Sequence, residues 1–517
     1  KTIQSILSMR KIYQLIIVGL AVVCLNQLGK AQIAPGSFGY YQDALRFSQT
    51  GNYGTARFQA LGGAGSVLGG DLSSAILNPA GLGLYNRSQF VISPNLNFKS
   101  YDTEFLGRNI RNEDTRFNIG NFGLALNFNK GDLEPGSWRG GTLAFSYNRV
   151  NTFNQSLNYS AYNGNSSIID AMLNRADGFF PDELGGIEQV GYDHYLINPV
   201  PGAEDIYVSF VEGFPTQQER ISKQGSTDQF NISFGGNFDD KIYLGAGLGF
   251  TSSDYSYNRV YTEAFDDPAI SSFQIDERLD VTGTGVNMNL GVIVRPTNFM
   301  RVGASITTPT WYSMSEEGDV IYRSEYNNYD VSNFRDDNDN RLILEDTVLN
   351  SLRSSTDVYF SDYNIRTPIK FNVGAAFFIG KNGFITADVE HLNYSRAHVS
   401  SIDFSAENDN ETIDNIYRSA TSVRLGGEYR YSIFRFRVGY ASIGDPYRSS
   451  FDDVDRSRSV VSGGLGVNVG KYFFDLSLSQ TAYKDSFTSY TFADGTGPTS
   501  FTDNKITNAS LTLGLNF

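Results

Sequence analysis

From about residue 90 to the C-terminal residue, apolar side chains alternate with small or polar ones. The apolar members of residues 369–380 fall at odd positions, and the segments 242–250, 286–294 and 511–517 show the same alternation. A period of two places successive side chains on opposite faces of a β-strand. Each segment therefore predicts a strand with one apolar face and one polar face.

The links between these strands alternate in length. Fourteen strands are predicted, beginning near residues 88, 116, 138, 226, 240, 280, 299, 365, 382, 416, 433, 456, 471 and 503. Links after the even strands are short, as at Asp239-Asp240, whereas links after the odd strands are long, above all 151–225 and 309–364.

This sorting of link lengths decides the architecture. A transmembrane β-barrel has an even number of strands, short periplasmic turns and long external loops. A soluble β-sandwich or propeller, the alternative, would bury the apolar face in a second layer and gives no reason for the sorting. We therefore predict an all-β fold, a transmembrane antiparallel barrel of about 14 strands over residues 88–517, with 151–225 and 309–364 as extracellular loops.

The N-terminal residues predict export. Basic residues such as Arg10 and Lys11 precede the apolar run Leu15–Leu25, and the small-x-small sequence 29–31 offers a cleavage site. This is the pattern of a secretory signal peptide, here residues 1–31, and the run is too short to span a membrane. A lipoprotein signal ending at Cys24 is the alternative, although the preceding valine is bulky for that role.

The C-terminal strand indicates the destination. The chain ends on Phe517, with apolar residues at every second position before it. Such an ending resembles the signal that outer-membrane barrels present to their assembly machinery. We predict the outer membrane of a Gram-negative bacterium, with membrane lipid and lipopolysaccharide as surroundings.

Composition and charge narrow the possible functions. The chain has 38 Phe and 31 Tyr, which suit strands, and a formal net charge of −15, which disfavours nucleic acid as a partner. There are three His, and the one Cys lies in the predicted signal peptide. We therefore predict no cofactor, no metal site and no enzymatic activity.

The polar face of the predicted barrel carries charges, which a lumen tolerates because it does not meet lipid. They are Arg295, Arg301, Lys370, Asp388, Glu390, Arg424, Glu428, Arg435, Arg437 and Asp475. Mutual pairing inside a plugged barrel is the simpler interpretation. The alternative makes Arg424, Arg435 and Arg437 a cluster that binds a ligand carboxylate.

Residues 32–87 lack the alternation and are rich in small side chains. Such a segment suits a chain threaded through a narrow lumen, where backbones approach closely. Asn78-Pro79 predicts a turn, and Gly81 would allow a positive φ after it.

The stretch 60–82, ending in Asn-Pro-Ala-Gly directly before a strand, resembles the FadL family of outer-membrane transporters for long-chain fatty acids and aromatic hydrocarbons. The segments 303–310 and 366–368 also look like family segments. The resemblance implies a fourteen-strand barrel plugged by an N-terminal hatch, here residues 32–87. It implies that Asn78, Pro79, Ala80 and Gly81 form the hatch turn.

Some features depart from that family. The link 151–225 is longer than the family's usual one, and the loops are acidic where a fatty-acid collector should show an apolar groove. The sequence Asp336-x-Asn338-x-Asn340 begins like a calcium loop, but Arg341 and Thr347 replace its Gly and Glu. A solvated acidic loop is the better interpretation.

Three interpretations therefore remain, and the least specific of them is a purely structural or surface-exposed barrel. The first is passive uptake of a hydrophobic, fatty-acid-like molecule, which would rest in the barrel and leave sideways through a gap in the wall while the hatch rearranges. The alternative is an accessory or protein-binding subunit of a larger outer-membrane secretion or assembly complex, with other outer-membrane proteins as partners. A continuous apolar pocket would favour the first function and a filled lumen the second.

Overall fold

The computed structural model describes residues 39–51, 54–129, 137–335 and 339–517. The predicted signal peptide, the first hatch residues 32–38 and most of the calcium-like sequence at 336–338 lie outside these ranges. Within them, no helix is both long enough and apolar enough to cross a membrane.

The secondary structure is mostly strand, with short helices near the N-terminus and in the extracellular links. The helices are α1 (Tyr40–Arg46), α2 (Ala56–Ala60), α3 (Ser74–Leu77), α4 (Ile168–Ala176), α5 (Gly186–Asp193) and α6 (Glu407–Ile416), and 3-10 turns span Pro79–Leu84, Pro181–Glu183, Val331–Asn333 and Tyr394–Arg396. The strands are β1 (Gln89–Phe105), β2 (Arg108–Asn129), β3 (Trp138–Thr152), β4 (Gln155–Tyr162), β5 (Asn198–Val200), β6 (Ala203–Val208), β7 (Thr216–Phe238), β8 (Ile242–Ala264), β9 (Ile270–Thr297), β10 (Met300–Thr307), β11 (Trp311–Asp330), β12 (Val348–Ser355), β13 (Tyr359–Arg366), β14 (Lys370–Phe378), β15 (Gly383–Asn393), β16 (His398–Ser401), β17 (Ser419–Tyr431), β18 (Phe434–Ile443), β19 (Arg458–Val469), β20 (Tyr472–Thr488) and β21 (Thr499–Asn516).

These strands close into an antiparallel barrel with a 14-strand wall. Four strands of the wall are interrupted, and each is therefore made of two segments. These pairs of segments are β3 and β4, β10 and β11, β13 and β14, and β15 and β16. The barrel closes because β1 pairs with both β2 and β21. At this seam the Phe517 N–H donates to the Ser88 carbonyl at 2.9 Å, and the Ser88 N–H donates back at 3.1 Å.

An apolar belt surrounds the periplasmic half of the wall. On β8, the outward side chains from Ile242 to Phe250 are apolar or small, and the next outward positions are Ser252 and Asp254. This length matches the roughly 9–11 residues with which a tilted strand crosses a membrane. The belt therefore marks the membrane, and the short turns mark its periplasmic side.

The number of strands is confirmed, but several strands begin earlier than the alternation predicts. β2 begins at Arg108, β7 at Thr216 and β9 at Ile270, whereas starts near 116, 226 and 280 were expected. The difference lies at the extracellular ends, where the outward face meets water. There both faces carry polar residues, so the strands continue without the alternation that reveals them.

The long links are folded rather than open. Between residues 151 and 225 lie β4, α4, α5 and the small sheet β5–β6, and between 309 and 364 lie β11, β12 and most of β13. Residues of α4 and α5 share one apolar core with the outer ends of β8, β9 and β11. We call α4, α5, β5, β6 and the β11–β12 hairpin the cap.

Candidate functional site

The periplasmic half of the lumen is filled by residues 54–87, which we call the lower plug. Its helices α2 and α3 and the turn Pro79–Leu84 lie against lumen-facing side chains. The Asp388 carboxylate accepts hydrogen bonds from the Gly65 and Ser66 N–H groups at 2.8 Å each and from the Ser66 hydroxyl at 2.7 Å. On other strands, Ser462 donates to the Ala60 carbonyl at 3.0 Å and Ser305 to the Leu77 carbonyl at 2.8 Å.

The Asn78 side chain organises the turn that leads out of this plug. Its oxygen accepts from the Ala80 N–H at 3.1 Å, and its amide donates to the Ser66 carbonyl at 2.8 Å. The expected positive φ at Gly81 is wrong, because Gly81 lies within the 3-10 turn and is not among the residues with positive φ. A Cβ at Gly81 would instead lie 2.8 Å from the Ser74 hydroxyl, so close packing is what requires glycine here.

The part of the wall that this turn contacts has no side chains, because its residues are glycines. Gly235, Gly245 and Gly291 pair with one another across β7, β8 and β9. A Cβ on any of the three would overlap with Asn78, Pro79 or Ala80. Glycine thus allows backbone to approach backbone. The sequence shows these glycines at alternate strand positions, but nothing in it says that they share one row.

A second bare patch supports the first half of the plug. Gly426 and Gly439 pair between β17 and β18, and a Cβ on either would collide with Leu61 or Gly62. Gly62 itself has a φ of 66°. The plug is therefore seated at two separate glycine patches of the wall.

The charges of the lumen pair with one another. Arg437 contacts Glu428 at 2.7 Å and Asp475 at 2.5 Å, and Arg424 contacts Glu390 at 2.9 Å. Buried charges of this kind require partners, because desolvation of a lone ion is costly. These contacts agree with mutual pairing.

The three arginines make different contacts. Arg435 lies at the periplasmic mouth and donates to the Ser432 and Phe434 carbonyls at 2.9 and 2.8 Å. Arg424 and Arg437 hold different carboxylates. Binding of a ligand carboxylate stays a prediction.

The extracellular half of the lumen contains a large aromatic cluster, which we call the upper-lumen cluster. Buried side chains of α1, including Leu45 and the adjoining Phe47, pack there against the wall. The wall members are Tyr101, Phe105, Leu157, Tyr159, Ile221, Tyr255, Tyr257, Leu279, Val281, Tyr312, Met314, Tyr363, Ile365, Leu392, Tyr394, Val399 and Tyr417, with a few alanines and residues of the α6 region. Helix α1 therefore occupies the space that an apolar guest would need, and we call residues 40–51 the upper plug.

Contacts at scattered points hold the upper plug, most of them made by side chains, with one backbone bond from the Gly51 N–H to the Val150 carbonyl at 2.8 Å. The Tyr40 hydroxyl donates to Glu316, and the Tyr363 hydroxyl donates to Asp43 at 2.6 Å. The Arg46 guanidinium lies 3.8 Å from the centroid of the Tyr255 ring.

At the edge of the upper-lumen cluster the wall is kinked between β3 and β4. The Asn154 carbonyl turns inward and accepts from the Lys99 amine at 2.5 Å and from the Tyr101 hydroxyl at 3.2 Å. On the facing strand Gly225 has a φ of 110°, and a Cβ there would overlap with Asp254. Phe153, at the kink, makes an edge contact with Phe47 at 5.6 Å between ring centroids.

A gap in the wall begins on the periplasmic side of this kink and continues past it. The β2–β3 ladder runs from Asn129↔Gly140 up to Asn121↔Asn148 and stops. Residues 108–120 of β2 pair only with β1, and β4 pairs only with β7. One hydrogen bond, from the Asn158 N–H to Asn112 at 3.1 Å, bridges the far side of the gap.

The gap begins within the membrane belt. Phe117 on β2 is 69% exposed on the outward face beside the gap, and its partner on β1 is Leu96, also exposed. The alternation gave no sign of this gap. Its trace in the sequence is the segment 151–155, polar except for Phe153, which interrupts the alternation at the kink.

The cap contains one histidine beside serines. The His194 ring nitrogens lie 2.8 Å from the hydroxyls of Ser324 and Ser354, and burial lowers the pKa of His194 below its usual value. Both ring nitrogens contact serine, so the carboxylate that orients a catalytic histidine has no place in this arrangement. Among the described residues, no group of three His, Cys, Asp or Glu has a metal-binding arrangement.

Comparisons with known proteins address the fold. No protein-family model matches the chain, and no curated protein is similar to it in sequence. A solved FadL homologue of Pseudomonas aeruginosa is 13% identical with a TM-score of 0.57, and the match covers 91% of this chain and 100% of that one.

Two solved toluene transporters are similar to a lesser degree. TodX of Pseudomonas putida is 12% identical with a TM-score of 0.50, covering 91% of this chain and 100% of that one. TbuX of Ralstonia pickettii is 14% identical with a TM-score of 0.50, covering 90% and 99%. The chain thus has the FadL fold, that of an outer-membrane barrel, which confirms the predicted fold class and the resemblance.

Proposed function

We propose that this barrel takes up hydrophobic small molecules passively and releases them sideways through its wall. A fatty-acid-like or aromatic molecule enters from outside, rests in the upper-lumen cluster, and passes the kink at Phe153 into the membrane. In this role the chain is a transporter and not an enzyme. The observation that carries the proposal is the interrupted β2–β3 ladder, because it lies beside the upper-lumen cluster and within the membrane belt.

The lining of the upper lumen supports an apolar guest. Its buried side chains are aromatic and aliphatic, and burial of apolar surface supplies roughly 25 cal/mol per Å². Two solved proteins of the same fold are named as toluene transporters, and toluene is a hydrophobic molecule. The cluster therefore offers a guest of that class a favourable environment once space is made.

Helix α1 is the element that must make this space. A guest that binds only when α1 has moved shifts the population toward the open state by its preference for that state. The lower plug, with the turn Asn78–Gly81, serves as the hatch and stays seated, because its contacts are with wall backbone. Uptake then needs no aqueous channel through the barrel.

Crosslinking across the gap tests lateral release. In an Asn112→Cys/Asn158→Cys variant, a short cleavable thiosulfonate linker would tie β2 to β4 at the hydrogen bond that joins them across the gap. The predicted mature chain has no other cysteine, so the linkage is specific. We expect uptake of radiolabelled toluene or oleate by proteoliposomes to fall at least tenfold and to return when the linker is reduced.

The matched control places the same linker where the ladder is complete. Asp102 and Arg111 are direct partners on β1 and β2 at a similar height. The Asp102→Cys/Arg111→Cys variant should keep its uptake after crosslinking. Equal uptake by both crosslinked variants would refute release through the gap.

An accessory role in a larger outer-membrane complex is the second candidate, and the filled lumen favours it. The upper plug occupies the upper-lumen cluster, and the cap carries acidic loops above it. If neither toluene nor oleate is taken up by the uncrosslinked barrel, the accessory role becomes the better explanation.

A further inference from the structure

One large cavity of the described barrel lies on its outside, facing the membrane. It is a groove of about 810 Å³ across β15, β17, β18, β19 and β20. Its walls include Ile385, Phe436, Val438, Leu465 and Leu478, all exposed to the membrane. It lies in the periplasmic half of the apolar belt, away from the gap between β2 and β3.

Two glycines form the floor of this groove. Gly427 and Gly463 flank Val438 in one row of paired residues that runs from Ile385 to Leu478. Since the other three members of the row point outward, the two glycines belong to the lipid-facing surface as well.

Nothing inside the chain explains these glycines. Neither has a positive φ, and a Cβ would find its nearest neighbour at 3.8 Å for Gly427 and 3.7 Å for Gly463, which is ordinary contact. Glycine weakens a strand and commonly marks a place where a ligand or another backbone comes close. The neighbouring Gly426 is the opposite case, because the lower plug sits directly on it.

The surroundings limit what fills the groove. Within the belt the medium is acyl chains, so an apolar groove of this size is in contact with lipid tails. A second copy related by two-fold symmetry would bring its own groove to face the groove of the first copy, and both grooves would stay empty. A lipid tail fits the apolar walls without such a void.

The lower end of the groove is polar. It reaches Asn382 in the periplasmic turn between β14 and β15, where Asn382 neighbours Lys381. Lys381 is exposed at this turn. A cation beside the end of an apolar groove complements a phosphate headgroup at the level of the inner leaflet.

We propose that this groove is a binding site for a phospholipid of the periplasmic leaflet, with its tails over Gly427 and Gly463 and its phosphate beside Lys381. The site is separate from the transport path, and it does not depend on the proposed uptake.

Native mass spectrometry of the whole barrel tests the proposal. Delipidated protein in a mild detergent would be mixed with dioleoyl phosphatidylglycerol, and the fraction carrying one lipid measured. Leucines at both floor positions should fill the groove, so Gly427→Leu/Gly463→Leu should bind at least tenfold less. The matched control Val423→Leu/Val461→Leu adds bulk to lipid-facing positions outside the groove and should bind as the parent does.

Two further measurements keep the test decisive. Lys381→Gln should reduce the preference for phosphatidylglycerol over dioleoyl phosphatidylcholine several-fold while the tails still bind. Equal lipid retention by the parent and the double leucine variant would overturn the proposal. So would a parent dimer without bound lipid that the double leucine variant converts to monomer, because the groove would then be an interface between copies. If the double variant fails to fold, the single Gly427→Ala variant, whose methyl group has room, should show a smaller loss in the same direction.

Discussion

The two ends of the lumen are closed in different ways. The lower plug lies on bare wall backbone at Gly245 and Gly439, and its own backbone groups are bonded to wall side chains such as Asp388. The upper plug presents side chains, among them Leu45 and Phe47, to an aromatic lining. Backbone contact fixes position, because no side chain can change its rotamer to relieve a displacement.

This difference indicates which closure can open. An apolar guest can replace the contacts of the upper plug, since it offers the same kind of surface to the tyrosines of the wall. No guest can replace a backbone that rests on glycine. Proposed gating therefore belongs to α1, and the lower plug acts as a fixed floor.

The largest effect should follow from adding a side chain under the lower plug. In Gly245→Leu the new side chain would overlap with Pro79 and Ala80. Overpacking costs about 1–3 kcal/mol, and the upper end applies here because backbone lies on both sides. We expect the barrel to insert but hydrogen exchange of 56–84 to become faster than in the parent, while 40–46 keeps the parent's exchange.

The control for this change is Gly427→Leu, which adds the same side chain to the lipid face. It should insert and keep the parent's hydrogen exchange in 56–84. If Gly245→Leu also keeps the parent's exchange there, the lower plug does not rest on the glycine row as described.

Shortening Phe47 should loosen the upper closure and leave the lower one intact. Phe47→Ala removes an aromatic ring from the upper-lumen cluster, which typically costs about 3 kcal/mol. We expect tighter binding of a fluorescent apolar probe such as N-phenyl-1-naphthylamine, because α1 then competes less well for the space, with no ion conductance. Weaker probe binding would mean that α1 helps to form the site instead of occupying it.

A smaller change of the same kind concerns the polar anchor of α1. Tyr40→Phe removes the hydroxyl that donates to Glu316 and keeps the ring. A hydrogen bond contributes about 1.5–3 kcal/mol to stability when one partner is charged, and about 1 kcal/mol when both partners are neutral. Probe affinity should rise less than in Phe47→Ala, and hydrogen exchange should show faster opening of 40–46 without a change in 56–84.

The smallest effect should be a pH dependence confined to the cap. Burial raises the pKa of Glu263 to about 7. Its carboxyl accepts from the Ile168 N–H at the start of α4 at 2.8 Å and from the Tyr261 hydroxyl at 2.6 Å. An acid whose pKa is raised by folding binds more protons in the folded state, so its stabilising contribution is present at low pH and is lost as the pH rises through about 7.

Hydrogen exchange of α4 checks this sign. After correction for the intrinsic rate, protection of 168–176 should fall between pH 5 and pH 8, while protection of 56–84 stays constant. Glu263→Gln should flatten the dependence. A rise of protection with pH in the parent would contradict the assignment.

The sequence alone determined the fold class, because a membrane imposes a period of two on every strand that crosses it. It also predicted a plug from the small residues that end in Asn78-Pro79, since close packing restricts residue size wherever it occurs. The sequence did not reveal the strand ends above the membrane, because water on the outward face imposes no alternation of apolar and polar residues.

Tertiary structure decided the features on which function depends. The glycines 235, 245 and 291 are far apart in the chain and form one row only through strand register. The gap follows from hydrogen bonds that β2 does not make, and a missing ladder leaves almost no mark on composition. The pairing of Arg437 with Glu428 and Asp475, and of Arg424 with Glu390, likewise depends on which strands are neighbours, a choice made by the closure of the barrel and not by any local pattern.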